Sequence, residues 1–135
     1  MLPFEFTVEG QPVSQQTRRR DRLPPWRATV RAAAEDLWPT GSAPLAQKLC
    51  LTIAYFYEGT PVDVDNIVKP ILDSIKDLVY LDDTQITDLI TRRRPLTGPV
   101  RIEADSPVLT AALERGQEFL YIRITDPPVD GGLEL

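Results

Sequence analysis

The chain has 135 residues, the length of one domain, with 42 % hydrophobic residues, a single cysteine, no histidine and a formal net charge of −5. The missing histidine excludes serine–histidine and cysteine–histidine catalysis and imidazole ligation of a metal. No apolar run reaches the roughly 18 residues of a membrane span, and the acidic start MLPFEFTVEG lacks a basic signal region, so a cytoplasmic protein with no membrane contact is expected.

Leu2 to Val8 alternates imperfectly and reads as a first strand, ended by Gly10 and Pro12. Residues 14–23, SQQTRRRDRL, show no apolar period and read as a mobile basic loop. Trp26, Val30, Ala33, Ala34 and Leu37 recur at helical spacing behind Pro24 and Pro25, which predicts a helix over 25–37. Residues 48–57, KLCLTIAYFY, are rich in β-branched and aromatic side chains and predict a strand with Cys50 as a small buried hydrophobe. A second helix is expected from Asn66 to Leu78, with Ile67, Ile71, Ile75 and Leu78 as its apolar stripe and Pro70 awkwardly placed within it. Thr84 to Arg93 reads as a third strand, although Ile86, Leu89 and Ile90 break its alternation. An extra edge strand at Val100–Glu103, a short helix over Pro107–Arg115 capped by Ser106, a last strand over Glu118–Thr125 and a loose tail 127–135 complete the reading. Strands and helices do not repeat as a regular βαβ series. The expected fold is therefore α+β: a single domain spanning residues 1–135, with a mixed, largely antiparallel sheet of about four strands and two main helices.

Charge is unevenly spread. Between Arg18 and Arg31 six arginines stand against one aspartate, and Arg92, Arg93 and Arg94 form a second basic run. Between Glu58 and Asp88 eight acids stand against two lysines. An acidic centre between arginine-rich flanks is the pattern of a metal-binding site with a phosphate-binding rim. On an extended segment Asp63 and Asp65, two residues apart, point the same way, and Lys69 lies one helical turn beyond Asp65. One of Asp82 and Asp83 can close the site from the next strand. Three carboxylates without imidazole form a hard oxygen set that suits Mg²⁺ or Mn²⁺ and phosphodiester hydrolysis. Each residue also has a plain structural reading. Asp65 can be a helix cap, Lys69 and Asp73 a solvated ion pair, and Asp82-Asp83 a turn. Trp26 and Trp38 can stack on bases, but core anchoring is the simpler role. Arg27, Arg31, Arg101 and Arg115 read as solvated surface charges.

The stretch D-V-D-N-I-V-K-P-I-L-D at 63–73, followed by V-Y-L-D-D-T-Q-I at 79–86, resembles the core motif of the RusA-type Holliday-junction resolvases. The opening G-Q-P-V-S at 10–14, with a basic segment and a helix after it, is similar too. The resemblance implies a homodimeric, Mg²⁺-dependent endonuclease acting on four-way or related branched DNA. By position it makes Asp63, Asp65 and Asp83 the metal ligands and Lys69 a residue required for cleavage. Asn66, Asp73, Asp82 and Gln85 fall at motif positions as supporting residues. Arg18, Arg19, Arg20 and Arg22, together with Arg92, Arg93 and Arg94, then become the candidate phosphate contacts. Two features depart from the pattern: the net charge is acidic, and Pro107–Arg115 looks like an insertion relative to the shortest members. A catalytically idle relative that binds structured nucleic acid or a protein partner is the competing expectation.

Overall fold

A computed structural model describes residues 2–102 and 105–133. Strands β1 (Phe4–Glu9), β2 (Leu49–Tyr57), β3 (Ile86–Pro95) and β4 (Phe119–Thr125) form one sheet in the order β1-β4-β2-β3. β4 runs antiparallel to both β1 and β2, whereas β3 runs parallel to β2. The sheet is therefore mixed and largely antiparallel, and the fold is α+β. A parallel pair needs a long crossover. Helix α2 (Asp65–Ile75) supplies it, and this single β-α-β unit carries the whole acidic stretch.

Strand alternation divides the sheet into two faces. Phe6, Leu51, Ile53, Tyr55 and Ile122 are buried in one core with Trp26, Val30 and Ala34 of α1 (Leu23–Leu37) and Ile67, Ile71 and Ile75 of α2. Phe56, Phe119 and Tyr121 point the other way, into a smaller core closed by Leu109 and Ala112 of α3 (Pro107–Arg115). Phe56 and Phe119 stack there with ring centroids 4.8 Å apart. Ser106 caps α3 by accepting from the Leu109 amide, as its position predicts. Trp26 and Trp38 are both buried, and Trp38 meets Phe4 edge-on, so neither presents a stacking face.

Several local features differ from expectation. α2 stops at Ile75 because Asp77 turns left-handed (φ 68°) and the chain doubles back to Tyr80. Arg31, read as a solvated charge, instead donates to the carbonyls of Ser74 (3.3 Å) and Lys76 (2.9 Å), closing the C-terminal end of α2. In β3 a bulge follows the Leu49–Ile86 pair, so Cys50 faces Asp88. The extra residue puts Ile86 and Leu89 on one face although they are three apart, which is why the alternation looked broken. Residues 100–102 form no strand, and the rest of that expected edge strand lies outside the described residues. The tail turns once as a 3₁₀ helix at Val129–Gly131.

Candidate active site

The site grows from the N-terminal half of α2. Val64 occupies the position before the helix with helical angles (φ −64°, ψ −33°) and makes no side-chain cap. Asp65 is thus the first residue of the helix rather than its cap, and its carboxylate makes no hydrogen bond or ion pair among the described residues. Val64 is helical, so the extended backbone on which Asp63 and Asp65 were expected to point the same way is not formed. Residues two apart share a face only on extended backbone; on a helix they diverge by about 200°.

Asp65, Lys69 and Asp73 follow one another at four-residue spacing along an exposed stripe of α2, opposite the buried Ile67 and Ile71. The Lys69 ammonium lies 2.6 Å from Asp73 Oδ1 and 3.6 Å from Asp83 Oδ2, so it bridges the helix and the turn after it. The hydrogen bond to Asp73 is the main reason its pKa rises above the ordinary lysine value, with both carboxylates adding to the effect. Lys69 is therefore a fixed cation at neutral pH and not a base.

Asp83 is placed by the turn Asp83–Gln85, which is itself clamped. Asp82 caps it by accepting from the Thr84 amide, and that bond is the chief cause of a lowered Asp82 pKa. Gln85 is buried, accepts from the amides of Leu81 and Asp82, and donates to the carbonyls of Leu45 and Gln47. Its amide thus ties the turn to the entry of β2. The Tyr80 hydroxyl lies 2.7 Å from Asp83 Oδ1 and 2.9 Å from the Leu72 carbonyl. Burial first, and the Asp83 bond second, push its ionisation far above the normal tyrosine range. Tyr80 is then a permanent donor that orients Asp83. Tyr80 stands three residues before Asp83, and nothing local in the sequence marks it for this role.

Asp63 is 74 % exposed, with Arg93 Nη1 3.8 Å from Oδ1. Arg93 also sits over the Tyr57 ring, 5.8 Å from its centroid. Nearby, Glu118 accepts from the Tyr55 hydroxyl (2.9 Å) and the Glu58 amide (2.6 Å), fixing the loop that leads to Asp63. Among the described residues no three acidic side chains lie close enough to hold a metal ion. The positive charge among these carboxylates comes from Lys69 and Arg93. The donor set of Asp63, Asp65 and Asp83 is nonetheless all oxygen, and its chemistry fits a hard divalent cation.

The candidate phosphate contacts separate into distinct groups. Pro70 has no amide to offer the Asn66 carbonyl one turn earlier, and the Gln15 amide takes that carbonyl at 2.7 Å. The awkward proline thereby fastens the basic loop to the start of α2. The loop is less free than its composition suggested: Arg20 folds back onto the carbonyls of Gln15 and Thr17, and Arg19 pairs with Asp21 at 3.5 Å. Arg18 and Arg22 remain exposed with no side-chain partner among the described residues. The run at 92–94 is split by strand alternation. Arg93 pairs with Tyr55 in the sheet and faces the acidic site, whereas Arg92 and Arg94 face the α3 side.

The chain is an α+β domain whose crossover helix carries an acid–lysine constellation with arginines around it. The family model described as "Endodeoxyribonuclease RusA" matches residues 6–105, and the chain belongs to the RusA endodeoxyribonuclease family. The match runs from β1 through β3; α3 and the central strand β4 lie beyond it. No curated protein matches the chain. No helix among the described residues is long and apolar enough to cross a membrane.

Proposed function

We propose that the protein resolves Holliday junctions or related branched DNA by metal-dependent phosphodiester hydrolysis, in recombination and repair. Asp63, Asp65 and Asp83 are the residues that would hold Mg²⁺, with Mn²⁺ as a substitute. When bound, the cation supplies an activated water and neutralises charge at the scissile phosphate. The chain's own part is positional and electrostatic. Lys69, locked as a cation by Asp73, offsets charge that builds on the phosphate. Tyr80 and the Gln85 clamp hold Asp83 toward it. Asp73 fixes Lys69, Asp82 shapes the turn, and Asn66 lends its carbonyl to the basic loop. Arg18 and Arg22 on that loop, and Arg93 from β3, are the guanidiniums best placed to meet phosphates beside the site.

The observation that carries this reading is the Lys69 bridge between α2 and Asp83, one turn from the unpaired Asp65 carboxylate, in a chain of an endodeoxyribonuclease family. A homodimer suits the substrate, because two sites related by a two-fold axis can nick two strands of one junction. A cytoplasmic location agrees with the free thiol of buried Cys50. The test is cleavage of a synthetic four-way junction in Mg²⁺ or Mn²⁺. Wild type cuts and Asp65→Asn does not; a wild-type protein inert on junctions, flaps and duplex alike ends the enzyme reading.

That no three acidic side chains among the described residues form a metal-holding group favours one alternative, an idle relative that binds structured DNA or a protein. Titration calorimetry with Mn²⁺ separates the two. A working site gives heat that Asp63→Asn reduces, and an idle one gives none.

A further inference from the structure

We propose that the α3 face of the sheet carries a second nucleic-acid site, a cleft that takes an unpaired DNA strand through consecutive phosphates on Arg92 and Arg94. The inference rests on the reading of DNA as substrate, but it concerns a surface on the opposite side of the sheet from Asp63, Lys69 and Asp83. The cleft has a volume of about 530 Å³, and Arg92, Arg94, Arg101 and Arg123 are among its lining residues.

The register explains why the arginines gather. Arg92 pairs with Ala54 and Arg94 with Phe56, so both side chains stand on the face that α3 only partly covers. Two residues apart on a strand, their Cα atoms are about 6.6 Å apart, comparable with the distance between successive phosphates of one strand. No acidic side chain lines the cleft among the described residues. Glu5, which contacts three of the lining residues, is already engaged by them: the Tyr121 hydroxyl (2.6 Å), the Ser106 hydroxyl (3.2 Å) and Arg123 (3.6 Å). Among the described residues Arg92 makes no ion pair, and Arg94 makes one side-chain bond, from Nη1 to the Arg93 carbonyl at 2.9 Å.

Size and lining decide which form of DNA fits. A cleft of this volume is of small-ligand scale and admits a nucleotide or two, whereas a duplex can only lie across its mouth. Its floor includes apolar side chains such as Leu109, and a cationic rim over an apolar floor is what unpaired nucleotides need. β3 is an edge strand, so nothing in the sheet separates Arg93 on one face from Arg92 and Arg94 on the other. A displaced strand leaving the acidic site can turn around this edge into the cleft.

The experiment is fluorescence anisotropy with the full chain in chelator-containing buffer, using labelled oligothymidine and a blunt hairpin duplex over a salt series. Wild type binds oligothymidine, and Arg92→Gln with Arg94→Gln weakens that binding at least tenfold. The same pair of changes reduces the slope of log affinity against log salt by about 1.4, the value for two single-strand contacts. Ile102→Glu, which adds a charge at an exposed position of the cleft and keeps both arginines, weakens it in the same direction. The proposal is overturned if wild type ignores oligothymidine, if neither variant changes affinity or slope, or if the loss is confined to the duplex. Cleavage is silent without metal, so the two readings fail separately. A protein that holds oligothymidine through Arg92 and Arg94 yet cuts no DNA in Mg²⁺ loses the nuclease reading and keeps the cleft.

Discussion

Lys69 stands between two carboxylates, and its raised pKa determines both what it can do and when it does it. A lysine that gains partners on folding stabilises the fold while the pH is below its ordinary value of 10.5, and that contribution fades as pH climbs through the raised value. The melting-temperature difference between wild type and Lys69→Met is therefore constant from pH 6 to 9 and shrinks above about 10.5. In cleavage, Lys69→Gln lowers kcat about 10²- to 10³-fold, the usual loss for one charge-stabilising donor, measured at saturating substrate and Mg²⁺. Tyr80→Phe removes only the hydroxyl that touches Asp83. It costs about 1 kcal/mol in urea unfolding and lowers Mn²⁺ affinity in calorimetry, because Asp83 loses its orienting donor.

At the level of elements, α2 couples the acidic site to the basic loop through one displaced hydrogen bond. Pro70 leaves the Asn66 carbonyl open, and Gln15 fills it. Pro70→Ala gives the helix its own amide back as a competitor for that carbonyl. The Gln15 amide should then exchange with solvent faster, while the new amide at position 70 is protected; unchanged exchange at Gln15 would show that the loop is held by other contacts. Arg31 closes the other end of α2. Arg31→Met leaves the Ser74 and Lys76 carbonyls without their guanidinium and destabilises the fold by about 1 kcal/mol, read as a shift in the denaturation midpoint.

Over the whole molecule, arginines border an acidic centre on both faces of the sheet, and the net charge of −5 hides this. Junction binding should weaken steeply as salt rises from 50 to 200 mM, because released counterions and not net charge set that dependence. Sedimentation at micromolar concentration tests the two-fold assembly: a species of twice the chain mass is expected, and a monomer that still cuts both strands of a junction would remove the need for it.

The sequence by itself determined the elements whose signal is local. Apolar spacing marked α1, β-branched density marked β2, and a serine before a proline marked the start of α3. It also placed Asp63, Asp65, Lys69 and Asp83 within one β-α-β stretch, because a motif of fixed spacing lies on consecutive elements. Where side chains point depended on backbone angles and on partners far along the chain. Helical angles at Val64 replaced the extended backbone expected between Asp63 and Asp65, one bulge shifted β3, and Tyr80 became a support for Asp83 only once α2 and the turn were packed together. The division of Arg92, Arg93 and Arg94 between two faces likewise required the sheet. Alternation is written in every strand, but which face lies over a helix and which over a cleft is set by what packs there.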